Sequence, residues 1–254
     1  MYANNETGVI FPIEQIGQIV KEYGALFHVD AVQAVGKIPL DMKTSTIDLL
    51  TLSGHKIHAP KGIGALYVRK GVRFRPLLIG GHQERGRRGG TENVAGIVAL
   101  GKAAELAQQH LAGISWEKRL RDRLERGILS TISNTVVNGD RIKRLPNTTN
   151  IGFKYIEGEA ILLSLDQFDI CASSGSACTS GSLEPSHVHR ALGLPDSVLH
   201  GSIRFSLSRY TTEKEIDRVL EVLPGVIDRL RELSPFNSDD ADWLKEQEEA
   251  VLAR

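Results

Sequence analysis

A lysine and an aspartate stand where short apolar segments end. Lys56 follows the apolar run 49–52 and precedes a second run, 63–68, and Asp30 ends the segment 25–30. A lysine beside buried backbone either covers apolar surface with its stem or has its pKa lowered by desolvation, which makes it an amine nucleophile. Taken alone, Lys56 is best interpreted as an ordinary solvated lysine.

The presence of Asp30 changes that interpretation. In open α/β sheets, ligands bind at the carboxyl ends of the strands, and both Asp30 and the segment 53–56 fall at such ends. An acid and an amine would then face one crevice. Pyridoxal phosphate requires this pair, because the lysine forms a Schiff base with it and the carboxylate keeps the pyridine nitrogen protonated, so that the ring accepts electrons.

Three motifs in this order resemble the cysteine desulfurase family. They are His-Val-Asp-Ala-Val-Gln at 28–33, Ser-Gly-His-Lys at 53–56 and Ser-Ser-Gly-Ser-Ala-Cys-Thr-Ser at 173–180. The run 181–187 and the stretch 148–153 are most similar to the nitrogen-fixation branch of that family. The resemblance extends from Met1 to about residue 235, and the three motifs together are far more specific than any one of them.

The resemblance implies a role for each residue of the first two motifs. Lys56 would bind the cofactor covalently and move the substrate α-proton. Asp30 would hold the pyridinium charge, and Gln33 would contact the phenolic oxygen. Ser53 and His55 would bind the cofactor phosphate, and His55 is also expected to be catalytic.

Substrate binding is implied for Asn5 and Arg204. Asn5 would contact the phenolic oxygen of the cofactor or the substrate carboxylate, whereas the plainer interpretation is an asparagine that fills a turn at positive φ. Arg204 interrupts an apolar strand pattern, so its guanidinium either reaches out to solvent or grips an anion with two hydrogen bonds. The resemblance assigns Arg204 to the amino-acid carboxylate.

The two cysteines differ in their sequence setting. Cys171 lies in the apolar run 168–172 and is predicted to be a small buried hydrophobe. Cys178 lies among Ser and Gly in a loop expected to be exposed and mobile, as a nucleophile that hands on its cargo must be. No cation immediately flanks it to raise its thiolate fraction, so the residues alone leave its reactivity open. The resemblance makes Cys178 the persulfide carrier and allows it as a transient iron–sulfur ligand, with no other metal site expected.

The segment 80–91 is rich in glycine and basic residues. It is either a solvated loop or a phosphate cradle, because glycine frees backbone N–H groups and a helix start favours anions. By resemblance this loop crosses a dimer interface, and Thr91 reaches the phosphate in the partner's site. Gly89 stands where many relatives carry serine.

The implied activity is pyridoxal-phosphate-dependent removal of sulfur from L-cysteine, which gives L-alanine and an enzyme persulfide for iron–sulfur cluster assembly. The implied partners are a second copy of the chain and an iron–sulfur scaffold or other sulfur-acceptor protein. Two alternatives stay open. One is a catalytically incompetent dimerisation or scaffold-binding remnant, and the other is a different lyase or aminotransferase of the same fold, for which the Cys178 loop would be superfluous.

Apolar periodicity predicts the elements that must position these residues. The predicted helices are 13–23, 94–110, 116–132, 159–165, 185–192 and 212–232, and the predicted strands are 25–30, 48–52, 63–68, 135–137, 150–153 and 170–172. Helix followed by strand favours an α/β fold with a mostly parallel sheet. By resemblance this is part of a fold-type I large domain at 1–112, then a linking helix and small α/β domain at 113–235, then an acidic tail at 236–254.

Composition sets the remaining expectations. The 254 residues include 31 basic and 31 acidic ones, which gives no general attraction to nucleic acid or membrane. The sequence has no membrane-length apolar run and no signal peptide, which predicts a cytoplasmic location. It contains only two cysteines, which predicts a reducing setting. The segment 1–8 resembles a motif well inside the family, so roughly the first third of a member, with its phosphate turn and ring-stacking histidine, is expected to be absent, leaving an uncovered sheet edge.

Overall fold

A computed structural model of the protein describes residues 1–174 and 185–234. The chain forms two compact units, the first made of Met1–Ala3 and Ile10–Gly113 and the second of Asn4–Val9 and Ile114–Arg254. Each unit combines helices with a small β-sheet, so the predicted α/β class is confirmed. None of the helices in the described ranges is long and apolar enough to cross a membrane.

The first unit carries a three-stranded sheet in the order β1-β2-β3. Its elements are α1 (Ile13–Glu22), β1 (His28–Asp30), β2 (Leu49–Ser53), a 3-10 helix (Gly54–Ile57), β3 (Gly64–Val68), α2 (Gln83–Gly86), α3 (Val94–His110) and a second 3-10 helix (Leu111–Gly113). The short α2 is irregular, because Glu84 and Arg85 have positive φ. Buried Val29, Ala31, Ala34, Ile47 and Leu50 form a core cluster in this unit.

Strand direction in this sheet is mixed. β1 pairs parallel with β2, with Asp30 opposite Thr51. β3 pairs antiparallel with β2, with Ser53 opposite Gly64. The connection between β2 and β3 spans residues 54–63, which is too short for the crossover that a parallel pair needs, so the chain turns back on itself. The predicted parallel pair is therefore present, but the third described strand runs the other way.

The second unit has a three-stranded antiparallel sheet in the order β4-β5-β6. Its elements are α4 (Ser115–Thr131), β4 (Thr135–Val137), β5 (Thr148–Phe153), α5 (Gly158–Asp166), α6 (His187–Ala191), α7 (Asp196–Leu199), β6 (Ser202–Ser206) and α8 (Glu213–Leu233). Apolar residues of α4, α5, α8, β5 and β6 form one core. A capping box opens α8, since Thr212 and Glu215 bond reciprocally.

The predicted strand at 170–172 is wrong. Only Ser173 makes an isolated bridge, to Arg204. Ile170 and Ala172 pack against the core of the second unit, whereas Cys171 between them is exposed. The prediction of a buried Cys171 is also wrong, because the side chains on either side of it face the core while its own faces solvent. Cys178 lies outside the described residues, and its assignment stays a prediction.

Candidate functional site

The turn that carries Lys56 begins where β2 ends. Lys56 is half-buried in the 3-10 helix Gly54–Ile57. Two backbone hydrogen bonds fix this turn: Gly54 N–H donates to the carbonyl of Ile63 at 2.8 Å, and Ala59 N–H donates to the carbonyl of Gly54 at 3.0 Å. Ile57 anchors the turn from below, because it is buried against Ala103 and Ala107 of α3. These hydrogen bonds and the packing of Ile57 hold the backbone that carries Lys56 in place.

Ser53 and His55 are joined to each other at the same edge of the sheet. Ser53 Oγ lies 2.7 Å from His55 Nδ1, a hydrogen-bonding distance whose donor depends on the imidazole tautomer. Ser53 is half-buried and His55 is exposed. A hydroxyl and an imidazole held together in this way supply donors suited to a phosphate group.

Asp30 ends the strand that runs parallel to β2. Asp30 Oδ1 accepts a hydrogen bond from Val32 N–H at 2.9 Å, which orients the exposed carboxylate. The next residue, Ala31, donates its N–H to the carbonyl of Thr51 at 3.0 Å. Since neighbouring strands lie about 4.8 Å apart, Asp30 and the lysine turn share the carboxyl-terminal edge of a parallel strand pair. Half-buried Gln33 follows in the turn after β1.

The amine, carboxylate, hydroxyl and imidazole at this edge fit the chemistry of pyridoxal phosphate. Asp30 supplies a fixed negative charge for a pyridinium nitrogen, and Lys56 supplies an amine on the adjoining turn. Ser53 and His55 supply the hydrogen-bonding groups that a phosphate needs. These are the residues of the first unit that would hold the cofactor.

Thr91 lies outside the lysine turn, on an exposed stretch just before α3. The helix is capped by Asn93, whose Oδ1 accepts from Gly96 N–H at 3.0 Å. Gly89 lies in a tightly packed part of the loop that precedes Thr91. A Cβ at Gly89 would lie 3.0 Å from the backbone nitrogen of Gly80 and 3.1 Å from the carbonyl carbon of Ile79, so this loop has no room for a side chain there.

Asn5 and Arg204 are brought together in the second unit. Arg204 Nη1 donates to the backbone carbonyl of Asn5 at 2.6 Å. Burial lowers the pKa of the Arg204 guanidinium, and the nearby Glu6 carboxylate partly offsets that effect. Asn5 is not among the residues with positive φ, so its predicted alternative as a positive-φ turn residue is wrong. Arg204 therefore lies half-buried, with its cation fixed by the segment that contains Asn5.

Sequence reasoning missed a buried pair of ionisable side chains in the same unit as this arginine. His189 is 1% exposed, and so is Glu6. Their side chains approach to 3.8 Å between Nε2 and Oε2. No local pattern signals this pair, because Glu6 and His189 come from opposite ends of the chain.

The class of protein follows from the fold together with a family comparison. The model of the class-V aminotransferase family matches residues 1–219, and the chain belongs to this family. Within it, the resemblance to cysteine desulfurases is confirmed. Cysteine desulfurase 2 of Trichormus variabilis is 74% identical over 251 residues, a match that covers 99% of this chain and 63% of that protein. The cysteine desulfurase NifS of Azotobacter vinelandii is 60% identical over 237 residues, 93% of this chain and 59% of that protein.

Solved structures agree with this placement. The X-ray structure of a NifS-like protein from Rickettsia africae superposes with a TM-score of 0.82 at 36% identity, covering 89% of this chain and 60% of that one. A structure described as SspA in complex with cysteine gives a TM-score of 0.66 at 36% identity, covering 83% of this chain and 58% of that one. The chain thus spans less than two thirds of the length of these relatives. The fold-type I assignment and the family's use of pyridoxal phosphate are confirmed.

Proposed function

We propose that this chain carries the lysine turn of a pyridoxal-phosphate-dependent cysteine desulfurase, together with Arg204 and Asn5 of its substrate-binding site. The observation that carries the proposal is the pairing of Asp30 and the Lys56 turn at the ends of two parallel, adjacent strands. The names of the most similar curated relatives support it. The cysteine complex of one structural relative supports L-cysteine as the substrate.

When bound, pyridoxal phosphate would supply an electron sink. Asp30 would hold the charge of its ring nitrogen, Gln33 would contact its phenolic oxygen, and Ser53 and His55 would hold its phosphate. The Lys56 amine would anchor it and then move the α-proton of the substrate. The Asp30 carboxylate is oriented by its hydrogen bond, and the lysine turn is held by the packing of Ile57 against α3. Both features favour these roles, because groups that are already in position react faster with a bound ligand.

The second unit would bind and desulfurate the amino acid. Arg204 would grip the substrate carboxylate, and Asn5 would help to fix it. The Cys178 thiolate would attack the substrate sulfur, forming an S–S bond while the C–S bond breaks. The electron pair of that bond stays on carbon, which takes up a proton to give L-alanine. Cys178 would then carry the persulfide.

The proposal extends to partners and setting. A homodimer would let Thr91 reach the phosphate in the partner's site, and the persulfide would pass to an iron–sulfur scaffold or another sulfur acceptor. The name of one relative, the cysteine desulfurase NifS of Azotobacter vinelandii, supports a role in sulfur transfer. A cytoplasmic location would keep the persulfide in a reducing setting.

The first prediction concerns Lys56. Pyridoxal phosphate added to the full chain should give the visible absorbance of a lysine-bound cofactor, and Lys56→Ala should abolish it because no other amine occupies that turn position. Lys61→Ala is the matched control, since Lys61 is exposed in the same β2–β3 connection and should leave the spectrum unchanged. Absence of the absorbance in the parent chain would contradict the proposal and favour a cofactor-free remnant.

Cys178→Ser separates cofactor binding from sulfur transfer. This variant should keep the visible absorbance and lose persulfide formation, because a hydroxyl is a far weaker nucleophile than a thiolate. Cys171→Ser serves as its control, since Cys171 is an exposed thiol of the same unit with no assigned role. Desulfuration of L-cysteine by Cys178→Ser at the parent rate would show that the nucleophile has been assigned wrongly.

A further inference from the structure

A buried polar network lies behind Arg204 in the second unit. It joins Glu6, in the segment Asn4–Val9, to Asn150 of β5 and His189 of α6. These three residues are 1%, 0% and 1% exposed, respectively. Asn150 also lies opposite Arg204 in the β5–β6 pairing. Buried polar groups at this density need defined hydrogen-bond partners, so the direction of each bond carries information.

The directions can be read from a single hydroxyl. Ser202 Oγ donates its one proton to the carbonyl of Val198 at 2.9 Å. It must therefore accept from Asn138 Nδ2, which lies 2.9 Å away. Asn138 thus presents its NH₂ group, which also donates to Asn150 Oδ1 at 2.7 Å.

The orientation of Asn150 then fixes the state of the histidine. With Oδ1 toward Asn138, Asn150 Nδ2 faces the carbonyl of Glu6 at 3.1 Å and His189 Nε2 at 3.3 Å. Since an amide NH₂ can only donate, His189 Nε2 must accept. The imidazole is therefore neutral, with its proton on Nδ1. Burial lowers the pKa of His189, and the Glu6 charge only partly opposes this.

The neutral state leaves the Glu6 carboxylate without a hydrogen bond from His189. Glu6 Oε2 lies 3.8 Å from His189 Nε2 and has no hydrogen-bond partner in the part of the chain that the structure describes. A neutral imidazole that accepts at Nε2 cannot bond to this oxygen. The carboxylate also acts on Arg204, because its charge raises the pKa of that guanidinium against the effect of burial. The buried Glu6 carboxylate thus interacts with two basic side chains, those of His189 and Arg204.

We propose that Glu6 and His189 are positioning residues for Arg204. While His189 is neutral, the Glu6 carboxylate balances the guanidinium charge and moderates its grip on an anion. A proton at His189 Nε2 breaks the bond from Asn150 and draws Glu6 onto the imidazolium, which leaves Arg204 a stronger receptor for a carboxylate. The identity of that ligand as the substrate carboxylate rests on the proposed function.

The charged groups around His189 are few within residues 1–174 and 185–234. Glu6 faces it from the segment Asn4–Val9, and Arg204 lies on β6. The contact from β5 is the uncharged Asn150. On α6 itself, His187 and Arg190 are exposed neighbours. Glu6 is therefore the group that a proton on His189 would engage.

Nuclear magnetic resonance of the full chain tests this without an assay or a cofactor. At pH 8 the ¹⁵N shifts of His189 should show a neutral ring with its proton on Nδ1. As the pH falls below 6.5, the ordinary pKa of histidine, the ¹³Cζ signal of Arg204 should move together with the His189 signals. Arg204→Lys identifies the arginine signal by removing it. A proton on Nε2 at pH 8, or an Arg204 signal that ignores the titration, would overturn the proposal.

Two variants separate coupling from general titration. In Glu6→Gln, which keeps the shape of the side chain, the Arg204 signal should no longer follow His189. The pair His200 and Glu157 is the matched control, because it has the same 3.8 Å separation but lies at the surface, with side chains 40% and 66% exposed. His200→Gln should leave the coupling intact. Should Glu6→Gln fail to fold, the titration of the parent chain still decides the outcome.

Ligand binding gives the functional readout. L-Alanine, followed through the Arg204 signal, should bind at least about fivefold more tightly at pH 5 than at pH 8, a coupling at the low end of what linked sites show. Glu6→Gln should remove that ratio. Equal affinity at the two pH values in the parent chain would contradict the positioning role. A chain that showed this coupling but lacked desulfurase activity would refute the proposed function alone.

Discussion

Among single residues, Gly54 of the lysine turn has little room for a side chain. A Cβ at this position would lie 2.8 Å from Ile63 Cγ2, 3.0 Å from the Ile63 carbonyl oxygen and 3.1 Å from Ala59 Cβ. Two of these contacts belong to Ile63, and one of the two is with its backbone oxygen. The backbone of the lysine turn would therefore have to shift to accept any side chain. Gly54→Ala should therefore lower the free energy of unfolding by about 1–3 kcal/mol, as overpacking does. Urea unfolding measures this.

The control for that substitution changes a glycine with open space around it. Gly101 lies in the middle of α3 in the same unit, and a Cβ there would meet nothing within 4 Å. Gly101→Ala should raise the free energy of unfolding by about 0.5–1 kcal/mol, because alanine restricts the unfolded chain and favours helix. If both variants shifted stability in the same direction, the steric account of Gly54 would be wrong.

The role of a residue could be predicted where neighbouring residues in the sequence indicate it. Burial could not be predicted where it depends on residues far away along the chain. Lys56 and Asp30 were found from the apolar segments they end, and the structure places both at strand ends. The burial of His189 could not be predicted, because its environment is built by Glu6 and Asn150, which no sequence spacing links to it. Cys171 was misplaced because an apolar run indicates that a segment packs against the core but not which of its side chains face that core.

At the scale of elements, one ion network fastens α4 to the chain that leads into β5. Glu125 of α4 accepts from Arg144 at 2.6 and 3.0 Å, from Thr149 Oγ1 at 2.6 Å and from Arg141 at 3.2 Å. The Glu125 and Arg144 side chains are 4% and 3% exposed. Removing one member of such a pair leaves the other charge buried and alone, which is strongly destabilising.

The pKa of Glu125 gives the pH dependence. Burial raises it, but the hydrogen bonds from Arg144 and Thr149 and the charges of Arg144 and Arg141 outweigh burial, so it lies below its ordinary 4.5. A carboxyl with a depressed folded pKa adds stability above the unfolded pKa and loses it as the pH falls through the folded one. Glu125→Gln should cost about 3–5 kcal/mol at pH 7, and the difference from the parent should shrink below pH 4.5.

Urea unfolding of the parent and variant from pH 7 to pH 3 measures both effects. Glu221→Gln is the matched control in the same unit, because Glu221 pairs with Arg218 at 2.9 Å on the surface, with side chains 69% and 48% exposed. It should change stability by less than about 1 kcal/mol at any pH. A Glu125→Gln penalty that stayed constant down to pH 3 would show that the carboxylate charge is not its source.

Elements were predictable where their signals are local. The helix over 94–110 was predicted with its observed bounds, and the helix predicted over 212–232 is observed as α8, one residue further along at each end. The direction of β3 was missed, although the short connection between the predicted strands 48–52 and 63–68 already excludes a parallel crossover. The isolated Ser173 bridge could not be predicted, because its partner Arg204 is distant in sequence.

For the molecule as a whole, the exposed apolar surface of the first unit favours association. The segment around Thr91 is flanked by exposed apolar side chains, at Leu77, Leu78 and Ile79 before it and at Val94 and Val98 after it. Several large apolar side chains exposed close to one segment of the sequence are typical of an interaction surface. It supports the proposal that Thr91 stands at a subunit interface, because residues on both sides of it would be covered there.

Sharing of the site between subunits can be tested by mixing inactive chains. If Lys56 of one subunit works with Thr91 of the other, a dimer of Lys56→Ala with Thr91→Ala contains one site with both residues intact and one with neither. Random assortment makes half of the dimers mixed, so about a quarter of all sites should be restored. Activity and cofactor absorbance of the refolded mixture measure this fraction. A mixture of Lys56→Ala with Ser53→Ala, whose residues share one strand and turn, should restore nothing, and the same result for the Thr91 mixture would place Thr91 in its own subunit's site.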